Sequence, residues 1–387
     1  MNQPKLLIIS SMSHYRTANG QITGWGPTVG EINQLATLFS EVRHIGCFHP
    51  GTPPDSSLPY THPNISLIPL PPSGGAHWSA KLGVLKHAPL YLRTIYPQLS
   101  WADVVHVRCP ANITFFALIL LALSKRSNLR WVKYAGDWNR DLSHRKMWAL
   151  QRWALRHNLV RGVVTVNGEW PQQPAHIRSF FNPSLTTDDL AVGVQCAAHK
   201  QLRPPIQLLS VGALRDDKGT DTAIRILAAL RSAGQDARLT LVGDGPERAA
   251  YERLRDSLGL TQYLHFAGWV PHTDLAPYYR QAHILLFPSK TEGWPKVVSE
   301  AMAYGVVPVT SDISCIKQYL TRFGCGQALP PSDVLGFVSA LLEYCRHPDR
   351  WAAESQRGVT AAKQFTYDEY LRKVKTEVMG LGEKELF

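Results

Sequence analysis

The chain has 387 residues, 44% hydrophobic and 18% charged, which is enough for two folded domains and excludes the composition of a disordered protein. Its formal charge of +11 sits almost wholly in the first half: residues 1–200 hold 19 Lys and Arg against 9 Asp and Glu, and residues 201–387 hold 22 against 21. Such one-sided charge implies an anionic partner: a membrane leaflet, a phosphorylated lipid or nucleic acid.

In chain order, Lys5 to Ser10 reads as a strand, with too short an apolar run after Lys5 for a secretory leader. A glycine-containing loop, NGQITGWGPTVG, follows. Gly24 and Gly26 flank Trp25 there, where a phosphate or sugar can approach backbone that carries no Cβ. A helix with Ile32, Leu35, Leu38 and Phe39 at near-helical spacing comes next, then a strand near Val42 to Phe48 and a proline-rich loop over roughly 50–75. Asp103 to Val107, Trp131 to Tyr134 and Val163 to Val166 are further strands separated by helical stretches. The run ITFFALILLAL, Ile113 to Leu123, is too short to span a bilayer and reads as a buried helix.

Four polar residues of this half are candidates for an acceptor side. His106 and Arg108 follow strand DVV, where a loop can carry them to a cleft, and His14 follows the first strand. Asp137, in WVKYAGDW, can accept from a hydroxyl or anchor the arginines around it. The helix expected over Ser143 to His157 interleaves basic residues with Trp148 and Trp153, which suits a membrane interface or a solvated basic face. Periodicity is lost from about Asp188 to Pro205, the expected linker.

A second strand–helix series then begins. Gln207 to Val211, Leu239 to Val242, Leu264 to Phe266 and Ile284 to Phe287 read as strands, and Thr220 to Ala233, Pro246 to Leu258 and Leu275 to Gln281 as helices. The alternation predicts parallel sheets with helices on both faces, and ligands in such sheets bind beyond the carboxyl ends of the strands. Arg215 and Lys218 lie in the loop after the first of these strands, where two cations suit a diphosphate. Gly243-Asp244-Gly245-Pro246 is a strand-to-helix turn.

The most informative stretch is PSKTEGWPKVVSEAMAYGVVPVTS, from Pro288 to Ser311. It reads as a strand end, a turn through Gly293 and Trp294, a helix with Pro295 at its first position and stopped by Gly305, and a buried strand. Glu292 is placed at the mouth of the turn and Glu300 two turns into the helix, where a carboxylate accepts from vicinal hydroxyls. A helix amino end beside such acceptors describes a nucleotide-sugar pocket.

This segment resembles the E-x7-E signature of the retaining family 4 glycosyltransferases (glycosyl transferases group 1), and SVGALRDDKG and GDGP match further strings of that family. The resemblance is close over residues 207–311 and looser before. GWGP is a loose match to the usual paired-glycine loop. The histidine many members carry after the strand WVKYAGDW is replaced here by Tyr134, Gly136 and Asp137. The resemblance implies an α/β fold of the GT-B type: two Rossmann-like doubly wound domains facing across a cleft. Residues 1–190 would hold the acceptor and 205–364 the nucleotide diphosphate-sugar, with a final helix in 365–387 crossing back to the first domain.

It also implies transfer with retention, without metal or resident cofactor; no D-x-D pair occurs in the chain. Glu292, Arg215, Lys218 and Asp137 would be the catalytic set. Glu300, Gly293, Trp294, Pro295, Lys296, Gly24, Gly26 and Gly243 would hold the donor. The expected acceptor is a saccharide or lipid-linked group, and the expected place is cytoplasmic, peripheral to an anionic membrane face. Six cysteines without C-x-x-C spacing agree with reduced thiols. Two alternatives stand beside this reading: an epimerase of the same fold, and a nucleic-acid-binding protein suggested by the basic half. The latter lacks any recognition motif, so no nucleic-acid partner is expected. A dinucleotide-binding dehydrogenase is disfavoured because no G-x-G-x-x-G follows the first strand.

Overall fold

The computed structural model describes residues 3–72, 78–142 and 145–381. Ser143 and His144 of the expected basic helix, residues 73–75 of the expected proline-rich loop and residues 382–387 of the expected final helix lie outside them. The chain forms two units, Met1–Phe180 with Leu371–Phe387, and Phe181–Tyr370.

In the first unit the strands are β1 (Lys5–Arg16), β2 (Ile22–Trp25), β3 (Glu41–Phe48), β4 (Ser57–Pro59), β5 (Ile65–Leu70), β6 (Val104–Cys109), β7 (Leu129–Tyr134), β8 (Val163–Val166) and β9 (Ile177–Ser179). The helices are α1 (Gly26–Leu35), α2 (Trp78–Trp101), α3 (Asn112–Leu123) and α4 (Lys146–Arg156). Seven strands run parallel in the order β5-β3-β1-β6-β7-β8-β9. The chain winds outward from β1 through β3 and β5, then returns to β6 on the other side. That reversal beside β1 is a topological switch point. β2 and β4 add antiparallel beside the carboxyl end of β1.

β1 is longer than expected because a bulge between Ile9 and Ser13 carries it on to Arg16. The glycine-containing loop is therefore half strand: the chain turns at Gly20 (φ +84°) and returns as β2. β5 likewise lies inside the expected proline-rich loop. The core of this unit combines the sheet with Tyr91, Ile95 and Leu99 of α2, Phe116 and Leu121 of α3, and Leu155 of α4.

The second unit contains α5 (Thr187–Ala198), β10 (Ile206–Val211), α6 (Thr220–Ser232), β11 (Ala237–Val242), α7 (Arg248–Ser257), β12 (Leu264–Gly268), α8 (Ala276–Gln281), β13 (Ile284–Phe287), α9 (Lys296–Ala303), β14 (Val307–Ser311), α10 (Ile316–Phe323), β15 (Gln327–Leu329), α11 (Val334–Arg346) and α12 (Pro348–Ala362), and α13 (Tyr367–Lys373) begins in it and ends in the first unit, which takes the chain again from Leu371. Its sheet is wholly parallel, in the order β12-β11-β10-β13-β14-β15, with a switch point between β10 and β13. β13 reads ILLF without alternation because helices cover both faces of the sheet.

The expected linker is corrected. Much of it is helix α5, capped by Thr186, whose hydroxyl accepts the Asp189 N–H at 3.0 Å, and it belongs to the second unit. Its packed side carries Gly193 and Ala197. A Cβ on Gly193 would come within 2.5 Å of the Ala303 carbonyl oxygen. A helix that buries small residues shows no large-apolar periodicity, and the Thr186–Asp189 spacing of its cap was the signal in the residue pattern that could have found it.

Candidate functional site

The loops that leave β10 and β13 at the switch point of the second unit are bound to each other. The Asp217 carbonyl accepts from the Lys290 N–H at 2.9 Å and from Ser289 Oγ at 3.1 Å, and Lys290 Nζ reaches Asp216 at 2.9 Å. Gly219 makes the junction possible. Its φ is +70°, and a Cβ there would lie 2.0 Å from the Pro288 carbonyl oxygen. The clasp turns Lys218 toward Glu292, and the two form an ion pair, each about one-fifth exposed. Arg215, half exposed, grips Asp217 through Nε at 2.9 Å and Nη2 at 2.7 Å. A shallow crevice lies over these loops, lined by Gly212, Ala213, Leu214, Lys218 and Phe287.

Glu300 projects from α9 and is buried. Its Oε2 accepts from the Tyr279 hydroxyl on α8 at 2.8 Å, and its Oε1 lies 3.2 Å from His272 Nε2, in the loop after β12. Burial, then the Glu300 charge, drives the Tyr279 phenol well above its ordinary range, so it stays protonated and donates. His272 is shifted upward, first by its hydrogen bond to Glu300. Sequence reasoning missed both partners; the only signal was a histidine and a tyrosine in WVPHTDLAPYY, where neither belongs to a motif.

The remaining expected donor residues divide. Lys296 opens α9, and Pro295 is corrected: it stands one place before the helix as its N-cap, with ψ 121° in extended conformation, rather than at the first helical position. Gly293 lies in the turn, its carbonyl 3.6 Å from Cys315 Sγ. Trp294 is corrected: it is buried, stacked on Phe365 with ring centroids 4.9 Å apart and edge-on to Tyr319 at 5.0 Å, which makes it a core side chain. Gly243 has φ +135°, and a Cβ would lie 2.0 Å from the Gly212 carbonyl oxygen. The close approach that demands glycine there is between two loops of this chain.

In the first unit Gly24 pairs with His14 across the β1–β2 hairpin, and a Cβ on it would meet Met12 Cε at 2.7 Å. Gly26 opens α1 with its N–H on the Ser56 carbonyl at 2.9 Å. Again the tight contacts are internal, while Trp25 between them is exposed. Asp137, beyond β7, accepts the Asn139 N–H at 3.0 Å in a local turn.

His106 and Arg108 are corrected, since both lie within β6 rather than in a loop. His106 is fully buried, its ring 3.7 Å from that of Trp131. Arg108 donates to Glu31 at 2.8 and 3.2 Å, and Lys133 of β7 reaches both oxygens of the same carboxylate at 2.8 Å. His14 is buried in a hydrogen-bonded row: Ser10 Oγ to His44 Nε2 at 2.7 Å, His44 Nδ1 to Tyr60 Oη at 2.6 Å, and Tyr60 Oη to His14 Nε2 at 2.8 Å. His14 Nδ1 then donates to the Cys47 carbonyl at 3.2 Å. A carbonyl can only accept, so the whole row is directed, with Ser10 Oγ–H, His44 Nδ1–H and Tyr60 Oη–H as donors. Glu31, Lys133 and His44 were missed because polar residues inside strands and helices carry no motif, and Tyr60, just past β4, stands in no spaced string either.

Among the described residues, no three of His, Cys, Asp or Glu converge on a metal site, and no helix is long and apolar enough to cross a membrane.

Residues 197–360 match the family described as glycosyl transferases group 1. The glycogen synthase of Mycobacterium tuberculosis is 26% identical over 306 residues, covering 74% of this chain and 70% of that protein. Among solved structures, the sucrose-phosphate synthase of Thermosynechococcus elongatus covers 97% of this chain and 98% of its own at TM-score 0.68 and 16% identity. Anabaena HepE, solved with UDP and glucose, covers 98% and 100% at TM-score 0.64 and 13% identity. The fold is therefore GT-B, and the second unit carries a group 1 glycosyltransferase domain.

Proposed function

From a group 1 glycosyltransferase domain on a GT-B fold, we propose a retaining, metal-independent transferase. It moves a hexose-type sugar from a nucleotide diphosphate-sugar to an acceptor hydroxyl. The observation that carries this reading is the meeting of Lys218, Glu292 and Arg215 at the switch point, with Glu300 held on the adjoining helix. Loops at the carboxyl ends of parallel strands are where such sheets bind ligands, and cations there suit a diphosphate.

In the proposed reaction the bond from the anomeric carbon to the β-phosphate oxygen breaks. Lys218 and Arg215 take up the charge of the departing diphosphate. The acceptor oxygen bonds to the same face of the anomeric carbon, and its proton passes to the departing phosphate. Glu292 grips hydroxyls of the donor sugar, and Glu300 accepts from the ribose hydroxyls. Asp137 is assigned to the acceptor side. Similarity to a glycogen synthase supports a glycan acceptor. The basic first half favours a lipid-linked one in polysaccharide, lipopolysaccharide or glycolipid synthesis at an anionic membrane face.

Thermal melting with UDP, GDP, ADP, CMP and dTDP tests the reading. A ligand at a hundred times its Kd adds about 2.7 kcal/mol, a shift of several degrees. One nucleotide is expected to stabilise the wild type and not Glu300→Ala. No shift with any nucleotide sinks the proposal. Turnover that survives EDTA supports metal independence, and turnover abolished by EDTA and restored by a divalent ion removes that part.

A further inference from the structure

We propose that the helical layer formed by α2, α3 and α4 is a docking face for an anionic lipid surface. This names the part of the molecule that would meet the membrane, and it stands independently of the transfer chemistry. The observation behind it is a charge asymmetry. Helix α2, and α3 and α4 with the connections that follow them (residues 78–101, 112–128 and 146–162), contain nine Lys and Arg and no Asp or Glu, the nearest acid being Asp103 just past α2. At the chain's overall frequency of 30 acids in 387 residues, about four or five would fall there.

α3 packs between α2 and α4 on one face of the first sheet, so the acid-free segments form one layer. Its outer side keeps large apolar groups in water: Leu123 is 75% exposed, Tyr96 57% and Trp153 50%, with Leu150, Leu159 and Ile119 also exposed. Cations are set among them. The Arg126 guanidinium lies 5.6 Å from the Tyr96 ring centroid. Arg161 Nη2 donates to the Ala122 carbonyl at 2.7 Å, which stations it beside Leu123. Buried Arg130 donates to the Leu121 and Val160 carbonyls at 2.8 and 2.9 Å, tying the turn that carries Leu159 to the end of α3. Lys86, Arg93, Lys125, Lys146 and Arg156 are exposed as well.

Charge alone would suit a nucleic acid as well as a bilayer. The exposed leucines decide between them. Phosphate contacts leave aliphatic side chains in water, whereas an anionic interface attracts the cations and buries Leu and Trp at the acyl boundary.

The test uses the full chain with vesicles of phosphatidylcholine alone or mixed with phosphatidylglycerol, read by co-sedimentation and tryptophan emission. Binding to the anionic vesicles only, weakening with salt and with a blue shift in emission, is the expected result. Lys125→Glu with Arg156→Glu, and separately Leu123→Ser with Trp153→Ser, are each expected to cut affinity at least about tenfold. All four side chains are exposed, so melting should be unchanged; the single Leu123→Ser serves should a double variant fail to fold. No binding at low salt, equal binding to both vesicle types, or full binding by the Leu123/Trp153 variant overturns the proposal. Duplex or single-stranded nucleic acid binding more tightly than the vesicles, with the apolar variant unaffected, overturns it in favour of nucleic acid.

Discussion

Lys218 and Glu292 neutralise each other across two loops that leave different strands of the second sheet. Both are partly buried, so a diphosphate approaching Lys218 and a sugar hydroxyl approaching Glu292 each compete with the pair. The substitutions should therefore separate. Glu292→Ala removes the competitor of the phosphate and is expected to keep or strengthen nucleoside diphosphate binding while turnover falls about a hundredfold or more. Lys218→Ala should weaken diphosphate binding. Calorimetry beside initial rates checks both, and equal turnover in Glu292→Ala would remove it from the catalytic set.

His272 sits on one oxygen of Glu300, the carboxylate proposed to receive the ribose hydroxyls. Its pKa is raised, first by the hydrogen bond to Glu300 and also by the Glu300 charge and Asp189, against the opposing effects of burial and, more weakly, Lys296. The protonated imidazole therefore binds Glu300 more tightly than the neutral one. If a ligand displaces it, binding releases a proton, and affinity should rise as pH increases through the raised His272 pKa, from about 6.5 upward. The ratio of wild-type to His272→Ala affinity removes the phosphate's own titration. That ratio is expected to favour the variant at pH 6 and to approach one as pH rises beyond the raised His272 pKa. A variant weaker at every pH would instead make His272 a ligand donor.

Gly219 is a purely geometric requirement of the clasp. Alanine there meets a left-handed backbone and the Pro288 carbonyl together. Gly219→Ala is expected to cost about 2 kcal/mol or more, lowering Tm by several degrees, and to weaken diphosphate binding by turning Lys218. A variant with unchanged Tm and affinity would mean that the loops can separate freely.

The site candidates that stand in a spaced string share one property: they sit in, or follow at a fixed distance from, loops at strand ends, where the backbone path demands Gly or Pro. Lys218, Gly219 and Glu292 lie in such loops, and Glu300 follows on α9. His272, Tyr279, Glu31, Lys133 and Tyr60 were silent because their partners are remote in sequence; Lys133 and Glu31 are 102 positions apart. His106 misled for the converse reason. A polar residue at the end of an apolar run resembles a loop residue, and only pairing of β6 with β1 and β7 shows it to be inside the sheet. The parallel doubly wound fold followed from alternation alone, whereas α5 did not, since its buried face is made of Gly and Ala.

The directed row Ser10–His44–Tyr60–His14 makes the first unit sensitive to acid. Each imidazole uses one nitrogen as donor and the other as acceptor, so a proton added to either leaves two donors facing where one acceptor is required. Burial dominates: it lowers His14 from 6.5 to about 4 and pushes His44 and His106 well down. Neighbouring His49, Arg108 and Lys133 add to the lowering; backbone hydrogen bonds to Cys47 and Met12 oppose it at His14, and Glu31 and a backbone hydrogen bond to Trp131 oppose it at His106. These groups are neutral in both states above about pH 6.5. Below that the unfolded chain takes up protons that the folded unit refuses. Stability is thus present near neutrality and lost as pH falls from about 6.5 toward 4. His14 alone contributes about 3 kcal/mol of that loss, because each tenfold weakening of its proton affinity on folding is worth roughly 1.36 kcal/mol. Melting of the wild type should drop steeply between pH 7 and 5. Replacing His14 with Gln should lower Tm at pH 7, because Tyr60 and the Cys47 carbonyl are then imperfectly paired, while flattening the slope below it. A slope unchanged by His14→Gln would assign the acid sensitivity to other groups.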